Sequence, residues 1–161
     1  MTTTEEVSRR NAGNRRRGNT AEQAVARYLR LWWPNACRAV RTGSSAAPDP
    51  GDIAGIPGVI VSVKDCAREQ WTQWWFELEE MLAGDTAALA VIVFKRRGWA
   101  DPAKWWVHLY LDDLAPLLDD RQMHHGGHHH GYVGDRTVRM ELEDLVDVLR
   151  DAGYMPPGAT S

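Results

Sequence analysis

The stretch Pro48-Asp49-Pro50-Gly51-Asp52-Ile53-Ala54-Gly55-Ile56-Pro57-Gly58-Val59-Ile60-Val61-Ser62-Val63-Lys64 decides how the rest of the chain is read. Gly and Pro at positions 51, 55, 57 and 58 break regular structure, while Val and Ile fill pleated positions. The pattern predicts turn, short strand, turn and second strand, which is a β-hairpin. Alternation along the second strand sends Val59, Val61 and Val63 to one face and Ile60, Ser62 and Lys64 to the other. The first face is core. The second starts apolar and ends in a hydroxyl and an amine, and the hairpin brings Asp52 beside that polar end. A carboxylate next to a lysine on a rigid sheet suits a divalent metal and a water aimed at phosphate. The same two residues also suit a salt bridge at a strand end, and taken alone they favour that reading slightly.

This pattern resembles the PD-(D/E)xK nuclease superfamily, in particular its Holliday-junction resolvase-like and phage members. In that superfamily an acidic residue opens a hairpin, and an acid, any residue and a lysine close it. Gly51-Asp52-Ile53 matches the opening and Ser62-Val63-Lys64 the close. Ser62 stands where the family has Glu or Asp as a metal ligand. The resemblance implies an α/β fold with a restriction-endonuclease-like core, a central mixed β-sheet flanked by helices.

Working outward, Thr20 with Gln23 three residues on reads as a capping box, and Pro34 closes the helix it opens. Val25, Tyr28, Leu29 and Trp32 form its apolar stripe, and Glu22 sits on or beside that stripe. An acid in a first turn favours the helix dipole. In resolvase-like nucleases the first helix carries a Glu that reaches the metal, in a context like Gly18-Asn19-Thr20-Ala21-Glu22, so the resemblance makes Glu22 a ligand. Residues 37–42 predict a short strand, with Arg38 and Arg41 on opposite faces. The loop of small residues 42–47, with Ser44 and Ser45, offers amides and hydroxyls to a phosphate.

Downstream, residues 68–83 read as a helix with Trp71, Trp74, Trp75, Leu78 and Leu82 on its apolar side. Some members of the resembled family place the missing acid, or a glutamine, on this helix. Glu69 and Gln73 are therefore candidates to compensate for Ser62, with Asp49 the next suspect near the hairpin. The apolar run 87–94 suits a central strand buried on both faces, and Lys95, Arg96 and Arg97 close it. Residues 105–111 predict another strand, 112–118 a short helix, 137–140 an edge strand and 141–152 an acidic helix. The His- and Gly-rich segment 124–131 reads as a surface loop with adventitious metal affinity. The chain thus divides into a flexible basic arm over 1–18, a nuclease-like domain over 19–120 and a His/Gly-rich loop over 121–135. A C-terminal strand and helix over 136–155 pack on the same domain, and a disordered tail spans 156–161.

Bulk properties agree with one globular domain: 161 residues, 43% hydrophobic. The net charge of -3 hides an asymmetry, since residues 1–64 hold ten Lys and Arg against five Asp and Glu, and the remainder nine against seventeen. A polyanion is drawn to the first half, where Arg15, Arg16 and Arg17 cluster, although a basic tail of this kind also serves solubility alone. Eight Trp residues exceed what a small core needs, which leaves some for a dimer interface or base stacking. Two cysteines do not make a disulfide framework, and no signal peptide or membrane-length apolar run is visible. The expected setting is the cytoplasm, the host's if the chain is phage-encoded, with no membrane partner.

The reading implied by the resemblance is a metal-dependent endonuclease acting on DNA, most like a Holliday-junction resolvase and homodimeric. Glu22, Asp52 and the backbone carbonyl of Val63 would hold Mg²⁺, or Mn²⁺ in its place, and no small-molecule cofactor is expected. Lys64 would position the attacking water, and Ser62 completes the catalytic set. Arg15, Arg16, Arg17, Arg41, Ser44 and Ser45 would contact DNA. A weakened or inactive DNA-binding protein on the same fold, and a nuclease of non-branched DNA, stand as alternatives.

Overall fold

The computed structural model describes residues 4–39, 51–83, 87–118 and 136–155. Asp49, Arg41, Ser44, Ser45 and the His-rich loop lie outside these residues. Among the described residues the chain is α/β, with a six-stranded mixed sheet flanked by four helices.

The hairpin forms as its pattern predicts. Strands β2 (Ile53–Ala54) and β3 (Val59–Lys64) pair antiparallel with Ile53 opposite Val61. Gly55 takes φ +89°, and a Cβ there would lie 2.1 Å from the Asn35 carbonyl oxygen, so the turn admits only glycine. Strand β1 (Cys37–Arg38) pairs antiparallel on the outer side of β2, and β4 (Leu89–Phe94) runs parallel to β3 after the crossover helix α2 (Trp71–Ala83). Strands β5 (Trp106–Tyr110) and β6 (Thr137–Glu141) complete the sheet antiparallel, so that spatial order follows chain order from β1 to β6.

Each face of the sheet has its own core. Val59, Val61 and Val63 of β3, with Leu89, Val91 and Val93 of β4, pack under α1 (Thr4–Leu29) and α4 (Leu142–Asp151). Ile60, Ala90 and Ile92 face Trp74, Trp75 and Leu78 of α2. Burying apolar area at about 25 cal/mol per Å² is what holds α2 to the sheet. The short helix α3 (Leu111–Leu114) and a 3₁₀ turn (Ala115–Leu118) follow β5 directly.

Several expectations change. Helix α1 begins at Thr4, so the arm expected to be flexible over residues 1–18 is helical from Thr4 onward. Thr20 does not cap: its hydroxyl donates to the Arg16 carbonyl at 2.8 Å, one turn back inside the helix. Arg and Glu are good helix formers, and once residues 21–29 are packed the helix extends at one hydrogen bond per residue. At the other end, the helix stops at Leu29 and the turn brings Trp33, not Trp32, fully under the core, where its indole N–H donates to the Tyr154 carbonyl at 2.6 Å. Of the eight tryptophans, Trp33, Trp74, Trp75 and Trp105 are buried inside this chain, which leaves fewer for a dimer interface or base stacking.

Candidate active site at the hairpin and second helix

The backbone brings Asp52 to β3 before its side chain acts. The Asp52 N–H donates to Val61 O at 2.8 Å, and its carbonyl accepts from Ala39 N at 2.9 Å. Gly51, at φ +76°, permits this approach, because a Cβ there would sit 2.7 Å from Val61 O. Where the short β2 ladder ends, the carboxylate takes over: Asp52 Oδ2 accepts from Val63 N–H at 2.7 Å and from the Ser62 hydroxyl at 3.1 Å.

Ser62 is only 3% exposed and is the buried polar side chain of the described residues. A hydroxyl so placed needs a partner, and Asp52 is that partner. The position that departs from the acidic pattern therefore donates to Asp52. A second carboxylate here would face Asp52 at hydrogen-bond distance, and the two charges would require a cation between them.

Lys64 follows two residues on, on the same face of β3. Its Nζ lies 3.3 Å from Glu77 Oε2 and 5.9 Å from the centroid of the Trp74 ring. Gln73 Nε2 donates to the other Glu77 oxygen at 2.9 Å. The acid that α2 brings to Lys64 is thus Glu77, which the sequence reading missed. Gln73 orients it. Glu69 instead accepts from the Trp71 indole N–H at 2.7 Å and lines a separate cleft. Helix spacing puts Glu77 one turn beyond Gln73 and three residues beyond the buried Trp74, which explains the Gln73 contact but does not by itself point to Lys64.

Glu22 lies elsewhere. Arg38 stands opposite Ile53 in the β1–β2 register, and Ile53 belongs to the core under α1. The Arg38 Nε pairs with Glu22 Oε2, and its Nη2 donates to Asn19 Oδ1 at 2.8 Å. The Glu22 side chain is mostly covered, 16% exposed. Asp52, one residue before Ile53, turns to the opposite face with Ser62. The structure brings together Asp52, Ser62, Val63 and, further along the strand, Lys64 with Glu77; it pairs Glu22 with Arg38 instead.

Arg15, Arg16 and Arg17 are exposed on α1. Arg16 and Arg17 line a cavity of about 330 Å³ together with Gly13, Thr20, Asp65 and Lys95. Asp65 and Lys95 sit just past the carboxyl ends of the parallel strands β3 and β4 and pair at 2.8 Å. In open α/β sheets that end is where ligands bind.

No family model, curated protein or solved structure matches the chain.

Among the described residues no group of three or more His, Cys, Asp or Glu side chains is arranged around one point. Mg²⁺ asks for less: one or two carboxylates, with waters and substrate phosphate completing its six oxygens. Asp52 and Glu77 are hard oxygen donors of the type that Mg²⁺ and Mn²⁺ take, and the two hydrogen bonds to the Asp52 carboxylate fall on a single oxygen.

Proposed function

We propose that the chain is a metal-dependent DNA endonuclease with a restriction-endonuclease-like core, acting as a Holliday-junction resolvase. The observation that carries the reading is the Asp52 carboxylate fixed by Ser62 and Val63 on the strand face where Lys64 meets Glu77. In this reading Asp52 and Glu77 would hold Mg²⁺, or Mn²⁺ in its place, with the Val63 carbonyl as a further ligand. Bound metal supplies Lewis-acid polarisation of the scissile phosphate and a more acidic water. Lys64 would donate to the charge developing on phosphate, or position the attacking water. Ser62 keeps Asp52 aimed. Glu22 joins the ligands only if the DNA backbone draws Arg38 away from it.

The DNA backbone runs over Arg16, Arg17 and Lys95, a basic cavity beside the end of the strand that carries Lys64. Arg15 on the same helix extends that contact, and Arg41, Ser44 and Ser45, outside the described residues, are further proposed DNA contacts. A homodimer presents two such sites to the symmetric strands of a four-way junction, and the enzyme works in the cytoplasm. No helix of the described residues is long and apolar enough to cross a membrane.

One observation favours the inactive DNA-binding alternative. The Ser62–Asp52 and Lys64–Glu77 contacts pair these polar groups with one another inside the chain. The two readings separate in one assay, cleavage of a labelled four-way junction with Mg²⁺ or with EDTA: metal-dependent nicks support the nuclease, and binding without nicks supports the alternative.

A further inference from the structure

The face of the sheet beyond α2 carries a second cleft, of about 390 Å³, that the proposed catalytic residues do not use. Strand alternation builds it. Trp106 and His108 of β5 and Arg139 of β6 project to one side because His108 stands opposite Arg139 in the register, and Phe94 lies opposite Trp106 on β4. Trp71, the first residue of α2, stands against His108 with ring centroids 4.1 Å apart. Arg96 and Arg139 lie over the Trp106 ring, 4.2 Å and 4.7 Å from its centroid. The exposed Arg97 completes the basic side.

The chemistry of this lining is specific. Three arginines face a single carboxylate, Glu69, which the Trp71 indole holds, and Arg96 also meets Glu141 at 3.0 Å. An anion is favoured, and one with a planar face, because aromatic rings and guanidinium planes both stack on bases. His108 is neutral near pH 7, its pKa lowered to about 4 by burial and then by Arg139. A neutral imidazole offers one donor and one acceptor to a base edge. The volume suits a small planar ligand, within the roughly 300–1,000 Å³ typical of such sites.

Chain order then links this cleft to the basic cavity under α1. Asp65 and Lys95 line that cavity, and the next residues, Cys66 and Arg96, line the aromatic cleft. Both lie past the carboxyl ends of β3 and β4, so a basic path runs from one to the other across the strand ends.

We infer that the cleft formed by Trp71, Phe94, Trp106, His108, Arg96 and Arg139 binds an unpaired nucleobase of a single DNA strand, whose phosphates continue over Arg97 and Lys95 into the cavity under α1. This deepens the nuclease reading by naming a substrate with a single-stranded segment, and it rests on that reading only for the choice of DNA as the polymer.

The test measures binding of labelled oligodeoxythymidine to the full chain in EDTA by fluorescence anisotropy. Binding is expected to strengthen with length from a mononucleotide to about ten nucleotides and to quench tryptophan emission. Trp71→Ala is expected to weaken it about tenfold while Trp71→Phe keeps most of it, as stacking predicts. The exposed pair Arg97→Ala and Arg139→Ala, which leaves the core intact, is expected to weaken it similarly and reduce its salt dependence by about two counterions. Equal binding of all variants overturns the inference, as does competition by polyglutamate equal to that by oligothymidine, or a mononucleotide binding as tightly as the strand. Asp52→Asn separates the two claims. If it binds oligothymidine normally and wild type cuts nothing, the cleft stands and the nuclease reading falls; if wild type cuts duplex junctions without binding single strands, the reverse holds.

Discussion

The Asp52 carboxylate accepts a hydrogen bond from the buried Ser62 hydroxyl at 3.1 Å. The same oxygen takes the Val63 N–H at 2.7 Å, so Asp52 serves the fold as well as any chemistry. Asp52→Ala strands both donors and is expected to cost about 2–4 kcal/mol. Asp52→Asn keeps an oxygen acceptor and is expected to cost about 1 kcal/mol, with cleavage lost in both. Thermal melts check the difference, at roughly 2–4 °C per kcal/mol for a chain of this size. Identical melting of the two variants would show that these hydrogen bonds contribute little.

Ser62→Glu restores the acid of the resembled pattern and places two carboxylates in contact. Without a cation they repel, and the variant is expected to melt several degrees below wild type in EDTA. Millimolar Mg²⁺ should recover much of that loss, because binding to the native state alone stabilises it. Melts that ignore Mg²⁺ would place no cation site at Asp52.

Glu77→Gln removes the carboxylate that meets Lys64 and keeps the shape of the side chain. Cleavage is expected to fall at least tenfold, with junction binding retained. Glu69→Gln, whose side chain lies in the other cleft, is expected to leave cleavage near wild type. The opposite ranking, measured on one labelled junction, would return the compensating role to Glu69.

How much of this was legible in the sequence follows from which interactions are local. The hairpin was legible, because Gly51, Gly55 and Gly58 punctuate it and Val59, Val61 and Val63 alternate with Ser62 and Lys64. The order of strands after Lys64 was legible for the same reason. The start of α1 was not, since Thr20 with Gln23 makes a good local cap pattern that tertiary packing of residues 21–29 overrides. Glu77 was hidden because its neighbour Lys64 comes from a strand, and helix spacing alone cannot say which α2 residue faces it. The Trp106–His108–Arg139 cleft depends on the register between β5 and β6, which are separated by the whole segment 111–136. Glu22 was read beside the apolar stripe, as found, but its partner Arg38 depends on the β1–β2 pairing.

His108 sets a pH response. It is half-buried among Arg139, Arg96, Arg97, Glu69 and Cys66, and its pKa falls from 6.5 to about 4. The folded state therefore binds this proton less readily than the unfolded chain. Its contribution to stability is complete above about pH 6.5 and lost as pH falls toward 4. The loss should be about 1–2 kcal/mol, well below the full shift because solvent screens a half-exposed ring. Between about pH 6.5 and 4 the urea midpoint of wild type should fall relative to that of His108→Phe, whose ring takes up no proton, and above pH 6.5 the gap between the two should be constant. Parallel curves would remove His108 from the acid response.

The measurement closest to the central claim is cleavage of a synthetic four-way junction by wild type and Asp52→Asn, with Mg²⁺, Mn²⁺ or EDTA. Wild type is expected to give paired nicks near the junction centre with either metal and none in EDTA, and Asp52→Asn to give none while still binding the junction. Binding without nicks under every condition, or nicks that persist in Asp52→Asn, would contradict that claim.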